Sequence, residues 1–354
     1  MAVNKRVLIT TVQVPFVHGG AELLANGLLR AFVERGFEAE IVTVPFKWYP
    51  PEALLDQMLA CRLFDIREVN GEPVDLVVGL KFPAYFIPHP GKVLWILHQH
   101  RPAYDQWDSG DSDLAHYPNG EAVRDAIRQA DRNLLGEASG IFCISSNVAA
   151  RLKHYSDVAG EPLYHPPPYT THFHCGEDGG YFYFPSRIDR VKRQKLVIDA
   201  LAHCSANIRM VFSGRPFQDA FLDELLAGAA KLGVADRVEF IGQVSERKKY
   251  ELYANATAIV YTPRDEDYGY VTLEAMLSSK AMVTCRDSGG VLEFVEDGHQ
   301  GLVVEPTPEA LGAALDRIWH HRADALSLGQ AGRAKYEGMN ITWDNVIERL
   351  TNAT

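Results

Sequence analysis

Two stretches of alternating strand-like and helix-like sequence, separated by a break dense in proline, histidine and glycine, constrain this chain more than any other feature. The first stretch opens with Arg6–Val12 (RVLITTV), a continuous and largely apolar run of the kind that fits a strand buried on both faces. The turn Val17-His18-Gly19-Gly20 follows. Ala21–Arg35 then carries leucines at helical spacing, Gly36 stops the helix, and Glu38–Val44 reads as the next strand. Strand, helix and strand in that order form a crossover unit, and such units build parallel sheets. Further strands are predicted at Val74–Gly79, Val93–Leu97 and Gly140–Ile144, and helices at Pro51–Cys61, Glu121–Glu137 and Asn147–Tyr155.

The break is Tyr164–Gly180 (YHPPPYTTHFHCGEDGG), which has no periodicity and reads as a linker. After it the alternation restarts, with short strands predicted at Tyr181–Phe184, Arg209–Phe212, Val238–Ile241, Ala258–Tyr261, Ala281–Thr284 and Gly301–Val303. A chain of 354 residues, 47% apolar, is long enough for two cores. The expected organisation is one α/β domain over 1–165, a linker over 166–180 and a second α/β domain over 181–339. The amphipathic end, 340–354, is expected to cross back to the first domain. Two doubly wound sheets of this kind would face each other across a cleft, with ligands at the carboxyl ends of the strands.

Charge and composition narrow the function classes. Lys and Arg number 35 against 46 Asp and Glu, a net charge of −11, which argues against a nucleic-acid partner and weakens electrostatic docking to an anionic membrane. No apolar run approaches the ~20 residues of a membrane span. The start, MAVNKRVLITTVQVPF, runs into a strand without a cleavage-site pattern. A cytoplasmic protein is therefore expected, at most peripheral to the inner face of a membrane. The five cysteines are scattered without metal-ligand or redox spacing, so they are expected as buried, reduced thiols.

The most specific chemical signal is Arg264–Met276 (RDEDYGYVTLEAM). Glu266 falls in a loop after a strand and Glu274 in the first turns of a helix predicted to begin near Thr272. The amides of Gly269, Tyr270, Val271 and Thr272 stand at its N-terminus, a ready anion site. Two carboxylates around a phosphate cradle suit a sugar nucleotide, whose sugar and ribose offer hydroxyl donors. A second signal is Phe184–Lys192 (FPSRIDRVK), in which Arg187 and Lys192 follow a strand and can neutralise a departing diphosphate. Gly19-Gly20 after the first strand allows close backbone approach to a ligand. His98 ends the strand Val93–Leu97, with His100, Arg101 and Tyr104 just beyond it as candidates for an acceptor side. Asp287–Glu293 (DSGGVLE) places another glycine pair between a strand and a helix. Each signal taken singly also has a plain structural reading: loop acids, a solvated basic loop, strand-to-helix turns and a packed histidine.

Taken together, these motifs resemble the retaining glycosyltransferases of family 4, with their GT-B fold of two Rossmann-like domains. The resemblance is strongest from Tyr181 to about Trp319. It rests on Arg187 and Lys192 as R-x4-K, Glu266 and Glu274 as E-x7-E, and the G-G-x-x-E…D-G…G-L-V-V run from Gly289 to Val304. In the first domain only the Gly19-Gly20 loop and His98 match. Pro185-Ser186 stands where the family has a glycine-led element.

The resemblance implies that Arg187 and Lys192 contact the donor diphosphate, Glu274 the ribose and Glu266 the donor sugar. It places amides of Gly269–Val271 beside the phosphates, the Gln243-Val244 backbone at the base, and His98 at the sugar or reacting centre. It further implies retention at the anomeric carbon and no metal cofactor, with a UDP- or GDP-linked sugar as donor. The acceptor class it implies is a saccharide, a lipid-linked saccharide or a small molecule. A sugar-nucleotide binder without catalysis, and a phosphorylase or epimerase on the same frame, fit the same motifs.

Overall fold

The computed structural model describes residues 5–17 and 19–353, so residues 1–4, His18 of the predicted turn and Thr354 lie outside the described residues. The chain divides into two compact units, Met1–Pro168 with Thr342–Thr354, and Tyr169–Ile341.

The first unit is built on six parallel strands in the order β2-β1-β3-β4-β5-β6. They are β1 (Arg6–Gln13), β2 (Glu38–Pro45), β3 (Leu76–Gly79), β4 (Lys92–Ile96), β5 (Gly140–Cys143) and the short edge strand β6 (Glu161–Pro162). The longer helices that precede the second unit are α1 (Gly20–Glu34), α2 (Glu52–Leu63), α3 (Gly120–Leu134) and α4 (Ser146–Ser156). Central strands β3 and β4 are buried along their whole length. That burial is why they read as unbroken apolar runs, since helices cover both faces of such a sheet. Ser145 caps α4 by accepting from the Val148 amide at 3.0 Å, which satisfies an otherwise unpaired helix donor.

The second unit has six parallel strands in the order β9-β8-β7-β10-β11-β12. These are β7 (Phe182–Pro185), β8 (Met210–Ser213), β9 (Val238–Phe240), β10 (Ala258–Val260), β11 (Met282–Cys285) and β12 (Gly301–Val304). Its helices are α5 (Gln194–Leu201), α6 (Asp219–Lys231), α7 (Glu246–Asn255), α8 (Tyr270–Leu277), α9 (Pro308–His320) and α10 (Arg322–Gly338). Strand β7 pairs with β8 on one side and β10 on the other, so connections leave it in opposite directions. A crevice opens where two such connections diverge, and ligands of doubly wound sheets bind there. Stacked rings of Phe212 and Phe240, 4.7 Å apart, continue the core across the strands, with Phe184 5.5 Å from Phe212.

The segment read as a linker is in large part packed structure. Gly176 and Gly179 donate to Ala254 and Asn255 carbonyls at 2.9 and 2.7 Å, and Phe173 lies edge-on to Tyr250 and Tyr253. Helix α11 (Trp343–Thr351), capped by Thr342, belongs to the first unit. Cys61, Cys143 and Cys285 are buried, whereas Cys175 is exposed and Cys204 half-buried, which corrects the expectation of five buried thiols.

Candidate functional site

The two connections that diverge at β7 and β10 carry the residues of the two strongest motifs. After β7, Asp189 caps a short turn by accepting from the Val191 amide at 3.3 Å, and this turn brings Lys192 inward. Lys192 forms an ion pair with Glu266 and donates to the Tyr261 hydroxyl at 3.0 Å. The Tyr261 hydroxyl in turn donates to the same Glu266 oxygen at 2.5 Å. Burial, followed by the charge of Glu266, pushes the Tyr261 phenol well above its ordinary pKa, so it stays a donor. Arg187 is half exposed, pairs with Asp189 at 2.8 Å and lies over the Phe217 ring at 5.3 Å. Arg193 fastens the two connections together, donating to the Thr262 and Pro263 carbonyls at 2.7 Å and to Asp287.

The glycine pair of Asp287–Glu293 holds the Glu266 loop. Gly290 donates to the Glu266 carbonyl at 2.7 Å, and Glu266 and Asp265 donate to the Ser288 and Asp287 carbonyls at 3.2 and 2.9 Å. A Cβ on Gly290 would stand 2.7 Å from the Asp267 carbonyl oxygen, so only glycine permits this approach. Gly269, at φ +80°, turns the chain into α8, which begins at Tyr270, two residues earlier than expected. The Thr272 amide bonds back to the Gly269 carbonyl at 3.0 Å, and its buried hydroxyl has no hydrogen-bond partner.

Glu274 stands in a different cluster from Glu266. It is buried in α8, where Lys249 reaches one carboxylate oxygen at 3.1 Å and Tyr253 donates to the other at 2.6 Å. Gln243 is exposed and Val244 half-buried in the connection from β9 to α7, beside Gly242, whose carbonyl accepts from Gly214 at 2.8 Å.

In the first unit, Gly19 is extended at φ −154° and its amide donates to Glu22 at 2.6 Å, and Gly20 begins α1. The pair thus makes a helix start, and His18 beside it lies outside the described residues. His98 is half-buried just past β4, with Nδ1 2.6 Å from the Gln99 carbonyl oxygen. His100 is buried against Phe82 and Phe46, at 5.2 and 6.3 Å between ring centroids, and burial lowers its pKa to about 3. Tyr104 is also buried and donates to Asp131 at 2.5 Å, while Arg101 pairs with Asp105 at 2.5 Å.

Sequence reasoning passed over Tyr261, Lys249, Tyr253 and Asp131. Tyr261 was counted as the end of a strand, although it is the first residue beyond β10. Lys249 and Tyr253 had a usable signal: with Glu246 and Tyr250 they form a polar stripe at helical spacing on α7. Among the described residues, no three His, Cys, Asp or Glu side chains gather as a metal-binding group, and no helix is long and apolar enough to cross a membrane.

Residues 175–335 match the family described as Glycosyl transferases group 1. Among curated relatives, alpha-1,3/1,6-mannosyltransferase ALG2 of Dictyostelium discoideum is 27% identical over 176 residues, 45% of this chain and 42% of the relative. The chain thus spans less than half the length of the first curated relatives it matches, 23% for the human ALG2. Among solved structures, sucrose-phosphate synthase from Thermosynechococcus elongatus superposes with a TM-score of 0.77 at 16% identity, covering 99% of this chain and all of the other. Anabaena HepE in complex with UDP-glucose superposes with a TM-score of 0.71 at 15% identity, covering 98% of each chain. The chain has the GT-B fold, and its match to the group 1 glycosyl transferases covers residues 175–335, within its second unit.

Proposed function

We propose that this protein is a retaining, metal-independent hexosyltransferase that moves a sugar from a UDP- or GDP-linked donor to a saccharide, lipid-linked or small-molecule acceptor in glycan synthesis. The observation that carries this reading is the Lys192–Tyr261–Glu266 cluster where the connections from β7 and β10 diverge. A lysine held against a carboxylate beside a helix N-terminus can exchange that partner for a diphosphate. Arg187, Lys192 and the first amides of α8 are assigned to the diphosphate, Glu274 to the ribose, and the Gln243-Val244 backbone to the base. Glu266 and His98 are assigned to the donor sugar.

Chemically, the bond between the anomeric carbon and the β-phosphate oxygen breaks, leaving an oxocarbenium-like sugar and a nucleoside diphosphate. The acceptor hydroxyl forms the new bond on the same face, and its proton passes to the departing phosphate oxygen. Cations fixed where that negative charge grows supply the stabilisation. The UDP-glucose complex of HepE and the mannosyltransferase relative support this substrate class.

Lys192→Ala should lower turnover by ~100-fold or more, the scale for losing one preorganised charge-stabilising donor. Its melting temperature should stay close to wild type, and wild-type activity should persist in excess chelator. Normal turnover in both Lys192→Ala and Arg187→Ala would move the diphosphate elsewhere. Activity lost with chelator and restored by magnesium or manganese would transfer charge neutralisation to a cation.

A further inference from the structure

Helix α7 presents Glu246, Lys249, Tyr250 and Tyr253 along one side, and this stripe converges on a single buried carboxylate. Lys249 lies 3.1 Å from Glu274 Oε1 and 2.9 Å from Glu246, while the Tyr253 hydroxyl donates to Glu274 Oε2 at 2.6 Å. Tyr250 holds Glu246 in turn, at 3.1 Å. Glu274 is 6% exposed and Tyr253 fully buried, so these contacts form in a poorly hydrated place where an unpaired carboxylate is costly. Lys249 is placed by its surroundings, with its ammonium 5.7 and 5.5 Å from the ring centroids of Phe173 and Tyr250.

An ionised carboxylate offers about four acceptor positions. Lys249 and Tyr253 take one on each oxygen, which leaves one on each oxygen for another donor pair. Two free acceptor positions on adjacent carboxylate oxygens match a pair of vicinal hydroxyls. Mobile side chains at the same place would offer no such fixed spacing.

We propose that Lys249 and Tyr253 are positioning residues that lock Glu274 in the orientation that reads the two ribose hydroxyls, so that α7 makes the protein selective for ribonucleotide over deoxyribonucleotide donors. This rests on the assignment of Glu274 to the donor ribose. The clamp acts through Glu274 and touches no nucleotide itself. Its signature is therefore a change in sugar discrimination, which a purely structural contact does not produce.

The test is calorimetric titration of the full chain with UDP, GDP and the 2′-deoxy and 3′-deoxy form of each. The variants are Glu274→Gln, Tyr253→Phe, Lys249→Met and Lys249→Arg, with circular dichroism and melting temperature recorded for all. Wild type should bind the better ribonucleotide ~tenfold or more tightly than its deoxy forms, the scale of a lost hydrogen bond to a charged group. Glu274→Gln should bring that ratio close to one. Tyr253→Phe and Lys249→Met should reduce it severalfold, and Lys249→Arg should keep it. A merely structural role would lower melting temperature and weaken all the nucleotides together at an unchanged ratio. A full ratio in either Tyr253→Phe or Lys249→Met, with Glu274→Gln having lost it, overturns the clamp and leaves the donor assignment standing. A full ratio in Glu274→Gln, or no binding of UDP or GDP to wild type, removes the ribose assignment and the clamp with it.

Discussion

Asp131 shows how much a single side chain can organise without any mark in the sequence. It is fully buried in α3, and both its oxygens are bonded: Tyr85 donates at 2.9 Å, Tyr104 at 2.5 Å and Gln99 at 2.7 Å. Gln99 lies between His98 and His100, so this carboxylate anchors the strand end that carries both histidines. Burial raises the Asp131 pKa to about 6, against the lowering effect of its three donors. The sign follows from linkage. A carboxyl whose folded pKa lies above its unfolded value, ~3.9, favours the fold fully below that value and loses the contribution as pH rises through the folded pKa. Two pKa units correspond to roughly 2–3 kcal/mol. Denaturant titrations from pH 4 to 7 should show the wild-type protein losing stability relative to Asp131→Asn over this range. Parallel pH profiles for the two proteins would mean that Asp131 does not titrate there. In the sequence this residue is one more acid in a charged helix, because burial is invisible until Tyr85 and Tyr104 are folded around it.

At the scale of elements, the return of α11 to the first unit depends on a missing side chain. Trp343 lies 6.4 Å from Trp95 and 6.1 Å from His165 between ring centroids, and a Cβ on Gly27 of α1 would stand 2.6 Å from its ring. Val346, Ile347 and Leu350 bury the apolar side of the helix, and Arg35 of α1 pairs with Asp344 at 2.5 Å. Gly27→Ala gains up to ~1 kcal/mol of helix propensity but overpacks the Trp343 contact at a cost of about 1–3 kcal/mol. The expected outcome is net destabilisation, read as a lower denaturation midpoint. An unchanged or raised midpoint would show that the ring shifts aside freely. The amphipathic pattern of Trp343–Leu350 announced the helix, whereas its seat against α1 and β4 follows from volumes that no periodicity encodes. The short edge strand β6 and helices α9 and α10 escaped the strand-by-strand reading. An edge strand of two residues carries too little pattern to register in a sequence.

For the whole molecule, each unit has its own six-stranded sheet and its own core, so ligand binding and stability can be assigned unit by unit. A ligand that binds only the folded state at 100 times its dissociation constant stabilises it by ~2.7 kcal/mol. Saturating nucleoside diphosphate should therefore raise the melting transition of the second unit by roughly 5–10 °C, from the usual 2–4 °C per kcal/mol at this size. Hydrogen exchange should slow most in the connections from β7 and β10 and in α7. Protection concentrated in the first unit would place the nucleotide there and sink the assignment of the donor to the second.

What the amino-acid order determined by itself was the alternation of strands and helices, twice over, because buried parallel strands need unbroken apolar runs and glycine or proline at their ends. It also determined the spacing of Arg187, Lys192, Glu266 and Glu274, because chain connectivity confines each motif to one strand end or helix start. Tertiary structure alone decided which charges meet. Lys192 and Glu266 are 74 residues apart and Lys249 and Glu274 are 25 apart, so only strand order and helix packing bring each pair together. The same folding buried His100, Tyr104 and Asp131 and left His98 half-exposed. Whether a polar side chain faces water or its own interior depends on neighbours that are remote in the chain.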